Sequence, residues 1–309
     1  MNYIPKINTI KFQEFSADVL RLDLIHPQIS GNKWFKLKHN LDEAKAQGLD
    51  TILTFGGAFS NHIYAAAFAC KLSGLKSIGI IRGEETPGLN PTLTEAQKNG
   101  MQLHFISRIS YKNKTENTFI ENLKNKFGNF YLIPEGGNNI LGALGCSEII
   151  DEKNDSDYIF CACGTATTFA GLAKHLKPQQ KLIGISVLKG EQTIIAETQE
   201  LINKLRGGND FTIAGNDVLL NAAEISASGI INAYTFGGYA KHANELLLFK
   251  DNFENEYKII LDHVYTSKLF YGVFDLIKKR KLKPGSKILV IHSGGLQGNA
   301  GFEKRYELT

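Results

Sequence analysis

Apolar residues come along this chain in two alternating kinds of run. Short unbroken runs read as buried strands, and longer stretches with apolar positions at helical spacing read as helices. Thr51 to Phe55 predicts a strand and Ser60 to Leu72 a helix with Ala-rich packing faces. Ser77 to Ile81 predicts a strand, Pro91 to Lys98 a helix, and Leu103 to Ile106 a strand. Lys114 to Phe127 then predicts a helix and Phe130 to Ile133 a strand. The pattern resumes with a strand at Tyr158 to Cys161 and a helix from Thr167. It closes with strands at Lys181 to Ile185 and Lys287 to Ile291. Alternating βα units with continuously apolar strands imply parallel sheets covered on both faces. The expected class is α/β, and two doubly wound parallel-sheet domains suit this many strands better than one. No Pro/Gly linker marks a boundary. Four turns, Gly56-Gly57, Gly136-Gly137, Gly237-Gly238 and Gly294-Gly295, mostly end strands. Ligands of such sheets bind at the carboxyl ends of strands, so chemistry is expected on these turns.

Composition narrows the function classes. The chain has 309 residues, 43% of them hydrophobic, enough for one large or two medium cores. With 35 basic and 31 acidic residues the net charge is +4, and no basic stripe implies nucleic acid. The basic run Lys278 to Lys281 reads as a solvated helix end, where cations suit the dipole. Cys70, Cys146, Cys161 and Cys163 form no CxxC pair. They read as buried free thiols of a reducing compartment, with no metal-ligand spacing. No apolar run is long enough to span a membrane, and Met1 to Pro5 shows no signal-peptide core. A cytoplasmic protein is expected.

The candidate chemistry starts at Lys33, in Ser30-Gly31-Asn32-Lys33-Trp34-Phe35-Lys36-Leu37. A helix N-terminus disfavours an ammonium, so a lysine opening a helix has reason to be the neutral amine that a carbonyl cofactor needs. Taken alone, it also reads as an ordinary solvated lysine. The turn Gly56 to His62 joins a strand to a helix. Ser60 and Asn61 suit an N-cap or, with His62 and free N–H groups, a carboxylate site. The turn Gly164-Thr165-Ala166-Thr167-Thr168 reads as a cap or as a cup for a single phosphate. It lacks the lysine of a P-loop and the GxGxxG of a dinucleotide site, which speaks against a dehydrogenase. Two further strand ends, at His263 to Lys268 and His292 to Gly295, carry hydroxyls. One lysine, one phosphate cup, a short polar partner for a ring nitrogen and a carboxylate turn together describe a pyridoxal 5′-phosphate enzyme.

The motifs carry a specific resemblance. Gly31-Asn32-Lys33-Trp34-Phe35-Lys36-Leu37, the Gly56 to His62 turn, Thr165 to Thr168, Val264-Tyr265-Thr266-Ser267-Lys268 and Gly237-Gly238-Tyr239 stand in order along the chain. With Ile133-Pro134-Glu135-Gly136-Gly137 and Leu141 to Gly145, they resemble the 1-aminocyclopropane-1-carboxylate deaminase/D-cysteine desulfhydrase family of the tryptophan synthase β-like group. The resemblance implies that Lys33, not Lys36, binds pyridoxal phosphate covalently, in a cleft between two domains. The domains implied are a large one, 1–35 with 143–309, and a small one, 36–142. Gly164, Thr165, Ala166, Thr167 and Thr168 would hold the phosphate, and Asn61 the ring hydroxyl. Ser60, Asn61 and His62 would take the substrate carboxylate, with Ser60, Tyr239 and Tyr265 as proton-transfer candidates. A homodimer is implied as well. The chain departs from the pattern at Arg21-Leu22-Asp23-Leu24, where the family has Lys-Arg-Glu-Asp. It departs again at Tyr64 and Trp34-Phe35, where arginines are usual.

The reaction turns on Thr266 and Ser293, where the family's ring-opening deaminases carry glutamate and leucine. A carboxylate beside a ring nitrogen favours its protonated form, whereas a hydroxyl does not force it. The resemblance therefore implies α,β-elimination from a small β-substituted amino acid, giving pyruvate, ammonia and, from cysteine, sulfide. Ring opening, another D-amino acid lyase or racemase activity, and a non-catalytic ligand-binding protein stay open.

Overall fold

The computed structural model describes residues 6–85, 88–189, 191–208 and 210–307, and at 191 and 192 the backbone alone. Met1 to Pro5 lies outside the described residues. The chain opens with strands β1 (Ile7–Phe12) and β2 (Phe15–Arg21), followed by helix α1 (Lys33–Ala46). Next come β3 (Thr51–Gly57), α2 (Asn61–Leu72), β4 (Lys76–Arg82), α3 (Pro91–Lys98) and β5 (Met101–Ile106). They lead to α4 (Asn117–Phe127), β6 (Tyr131–Ile133), α5 (Ile140–Cys146), β7 (Tyr158–Cys163), α6 (Thr167–Ala173) and β8 (Lys181–Ser186). The last third contains α7 (Glu191–Arg206), α8 (Asn216–Asn221), β9 (Gly229–Ile231), α9 (Asn244–Tyr257), α10 (Thr266–Lys278), β10 (Ile288–His292) and α11 (Asn299–Tyr306).

Two sheets result. One has the order β1-β2-β10-β7-β8-β9, the other β5-β4-β3-β6. Every pairing is parallel except the β1–β2 hairpin. That hairpin is absent from the sequence reading for a physical reason. β1 is an edge strand with only Ile10 buried, so it carries no continuous apolar run. In β7 every residue is buried, and the two-residue period splits them between faces. Tyr158, Phe160 and Ala162 join the core beneath α9 and α10, while Ile159, Cys161 and Cys163 join the core with Phe169 of α6 and Cys146 of α5. The smaller sheet is likewise covered on both faces, by a core that includes α1, α2 and α3 and by one that includes Leu123 of α4 and Tyr111 from the turn before it. This is the doubly wound arrangement expected from the alternating pattern. All four cysteines are buried and unpaired. Among the described residues no helix is long and apolar enough to cross a membrane.

Helix α1 belongs to both cores: Phe35 packs in the larger one, Leu37, Leu41 and Ala44 in the smaller. Its first turn therefore lies where the two sheets' strand ends meet. The turns after β3, β7 and β10 converge there.

Candidate active site

Lys33 is the first residue of α1, with Asn32 in the N-cap position. Its Nζ donates to Asn32 Oδ1 at 2.7 Å, and Asn32 Nδ2 donates to Thr168 Oγ1 at 2.9 Å. The lysine is thus wired to the turn after β7. Burial, reinforced by the neighbouring Lys36 ammonium, pulls Lys33 down to about 7. Nζ also stands 5.9 Å from the centroid of the Tyr265 ring.

The turn before Lys33 leaves no room for a side chain. Gly31 has φ +74°, and a Cβ there would lie 1.8 Å from the carbonyl oxygen of Ser293. That same oxygen accepts from Asn32 N at 3.2 Å. The lysine turn and the Ser293 turn are one packed unit. Gly31→Ala is expected to cost about 3 kcal/mol of stability, from left-handed strain plus overpacking. A urea midpoint indistinguishable from the parent's would contradict this.

Lys36, one helical turn after Lys33, is the residue that sequence reading missed. It is buried, and its Nζ donates to Thr165 Oγ1 at 3.0 Å. Burial lowers its pKa, and no carboxylate pairs with it among the described residues. The i, i+3 spacing from Lys33 was the available signal, since it puts both amines on one face. The cup after β7 thus has a lysine after all, delivered by another helix. Thr165 Oγ1 lies 3.2 Å from Thr167 Oγ1, which donates to Asn138 Oδ1 at 2.7 Å. Thr167 and Thr168 are buried and engaged with Asn138 and Asn32, and Ala166 is buried beside them. Gly164 and Thr165 are the members left partly exposed to the cleft.

In the turn after β3, Ser60 is the N-cap of α2, its Oγ accepting from His62 N at 3.2 Å and Ile63 N at 3.3 Å. The capping interpretation therefore holds, and the hydroxyl proton remains to point outward. Asn61 follows, packed so closely on the turn after β10 that a Cβ on Gly295 would meet its Nδ2 at 2.6 Å. His62 is buried. Thr54 Oγ1 donates to Ile133 O at 2.8 Å and so accepts from His62 Nε2, also at 2.8 Å. Nδ1 is then an unprotonated lone pair, buried without a partner. Burial, with Lys33 and Lys36 adding to it, holds His62 down to about 3. A buried neutral imidazole whose free nitrogen offers only a lone pair lends no support to the expected hold of His62 on a substrate carboxylate.

Thr266 is the residue expected beside the cofactor's ring nitrogen. It is fully buried at the start of α10, its Oγ1 donating to Asp262 Oδ2 at 2.7 Å and accepting from Asp262 N at 2.7 Å. The Asp262 carboxylate also accepts from the backbone N–H of Val264, Tyr265 and Thr266 at 2.7–2.9 Å. Asp262, absent from the sequence reading, is the cap of this turn. Ser293, in contrast, is only partly buried. Tyr265 lies over Gly164, where a Cβ would approach its Cε1 to 2.7 Å. Tyr239 is 45% exposed, its ring edge-on to Tyr265 with centroids 6.2 Å apart. Burial raises the pKa of Tyr265, which keeps it a phenol able to give a proton.

A pair of mostly buried lysines with no acid between them demands an anion. An aldehyde-bearing aromatic phosphate satisfies the whole set: an amine to bind covalently, a second amine and a hydroxyl for the phosphate, and aromatic and polar walls. Fold and site define an enzyme that uses pyridoxal phosphate. The chain belongs to the pyridoxal-phosphate dependent enzyme family, whose model matches residues 12–294. It is 30% identical over 305 residues to the mitochondrial bifunctional D-cysteine desulfhydrase/1-aminocyclopropane-1-carboxylate deaminase of Arabidopsis thaliana, covering 91% of this chain and 72% of that one. It is 28% identical over 322 residues to the D-cysteine desulfhydrase of Salmonella typhi, covering 96% and 90%. A crystal structure of an ACC deaminase homologue superposes with a TM-score of 0.79 at 28% identity, covering 95% of this chain and 89% of that one.

Proposed function

We propose that this enzyme catalyses α,β-elimination from a small β-substituted amino acid, D-cysteine being the first candidate, to give pyruvate, ammonia and sulfide. The observation that carries it is the Lys33–Lys36 pair beside Thr165, with a part-buried hydroxyl at Ser293 on the adjoining turn. Pyridoxal phosphate, when bound, supplies a sink for the electron pair left at Cα. Lys33 would hold it, Lys36 and Thr165 its phosphate, Asn61 its ring hydroxyl and Ser293 its ring nitrogen. Lys33 Nζ, near neutrality in its free form, takes the Cα proton. The Ser60 hydroxyl, its lone pairs occupied by the α2 N–H groups, donates to the substrate carboxylate. Tyr239 and Tyr265 face the substrate and can donate a proton to the departing group. The names of the Arabidopsis and Salmonella relatives support the substrate class. A cytoplasmic homodimer, divided into 1–35 with 143–309 and 36–142, completes the proposal.

A substrate panel tests it. D- and L-cysteine, β-chloroalanine, D-serine and 1-aminocyclopropane-1-carboxylate are offered, and keto-acid release is scored. Pyruvate from D-cysteine is the expected result. One observation favours ring opening as the second reading: the Asp262 carboxylate stands directly behind Thr266. Release of 2-oxobutyrate from the cyclopropane substrate would establish that reading in place of the first.

A further inference from the structure

Lys268 has no part in the chemistry above, and its surroundings are unusual for a lysine. It lies in the first turn of α10 with no exposed surface. Its Nζ donates to the carbonyl oxygens of Thr235 at 2.8 Å and Gly238 at 2.7 Å. Among the described residues no carboxylate bonds to it, and burial pulls it down to about 8. A lysine is almost never fully buried unless it is paired. Here two backbone acceptors offset the loss of water, through charge-assisted bonds stronger than neutral ones.

The segment it grips joins β9 to α9. Phe236, Gly237, Gly238 and Ala240 there all have positive φ, at 48°, 92°, 112° and 52°. Side-chain-bearing residues rarely adopt such backbone, and it persists only where the surroundings over-determine it. The grip comes from two sides. Lys268 of α10 holds Thr235 and Gly238, while the Tyr306 hydroxyl of α11 donates to Ala240 O at 2.8 Å. Tyr239 lies between those two holds, its ring turned to Tyr265.

We propose that Lys268 is a positioning residue: by tying the Thr235 and Gly238 carbonyls it holds the left-handed turn that sets Tyr239 against Tyr265 at the mouth of the active site. Its effect on turnover rests on the proposed contact of Tyr239 with substrate; its hold on the turn does not. The ammonium bonds to backbone outside both sheets, so its loss is expected to free the turn and leave the sheets intact.

The test uses the full-length holoenzyme with Lys268→Met, which keeps the side chain's length and removes its donors, and Lys268→Gln, which keeps an amide donor. Hydrogen exchange is followed by peptide mass spectrometry. Exchange across 235–241 is expected to rise by ~10-fold or more in Lys268→Met, and less in Lys268→Gln, while β7 and β10 stay as protected as in the parent. Turnover should fall in Lys268→Met. Added to Tyr239→Phe, Lys268→Met should cost little further, since residues acting through one another are non-additive. Unchanged exchange at 235–241 overturns the proposal, as does a uniform loss of protection across both sheets. Full additivity with Tyr239→Phe overturns the route through Tyr239. If Tyr239→Phe alone leaves the rate untouched, the substrate contact of Tyr239 is refuted, and the exchange data still decide the grip.

Discussion

Lys33→Ala is expected to abolish both the visible absorbance of lysine-bound cofactor and keto-acid release, with turnover falling by about 10⁴-fold, the upper range for loss of a general base. Three features of the site combine in this residue. Burial and the adjacent Lys36 charge bring its pKa to about 7, so that a large share of the amine is unprotonated at neutral pH. Its place as the first residue of α1 adds the unfavourable end of the helix dipole. The Lys33–Asn32–Thr168 chain holds Nζ toward the turn after β7. Lys33→Arg should fail almost as completely, because a guanidinium stays protonated and cannot bind a carbonyl. Far-ultraviolet dichroism is expected to be unchanged, which separates loss of chemistry from loss of fold. Visible absorbance retained together with full turnover in Lys33→Ala would sink the assignment.

Lys36→Met should act with opposite sign on the two forms of the protein. Without cofactor, Lys36 is a buried lysine with a hydroxyl partner and, among the described residues, no carboxylate bonded to it. Its pKa is lowered on folding, so the unfolded chain binds more protons than the folded one from the folded pKa up to about 10.4, the free-lysine value. In that window stability rises with pH, and at lower pH the penalty is fully present. Lys33 adds to the same slope from about 7 upward. The apoprotein's urea midpoint is therefore expected to climb between pH 7 and 9.5. Lys36→Met should raise that midpoint at pH 7 and flatten the climb, because an apolar residue replaces an uncompensated charge. Cofactor affinity should fall by roughly 10- to 100-fold, the loss of one charge-assisted bond to a phosphate. Titration of apoprotein with pyridoxal phosphate measures it. An unaltered affinity would remove Lys36 from the phosphate site.

What could be read from the chain follows from how local each feature is. Buried parallel strands need unbroken apolar runs, so β3, β4, β7, β8 and β10 announce themselves, whereas the exposed edge strand β1 does not. Ser60 as an N-cap follows from residue type and position, which act within three residues. Lys33 is legible because a Gly-Asn turn opening a helix is a local pattern. Asp262 was hidden, because a carboxylate beside a strand-end turn looks like any surface aspartate until its partners are counted. Lys268 was hidden too, for its acceptors are backbone carbonyls some thirty residues away, and carbonyls leave no mark in a sequence.

By itself, the sequence determined the α/β class and singled out Lys33 and the turns after β3, β7 and β10 as the candidate site. Those rest on short-range periodicity and on motifs whose residues are neighbours. Only the tertiary structure decided which partners those residues keep. It brought Lys36 to the cup after β7, gave the His62 N–H to Thr54, and committed the Thr266 hydroxyl to Asp262. The physical reason is that a buried donor or acceptor takes whichever partner packing brings within about 3 Å. That choice belongs to the fold.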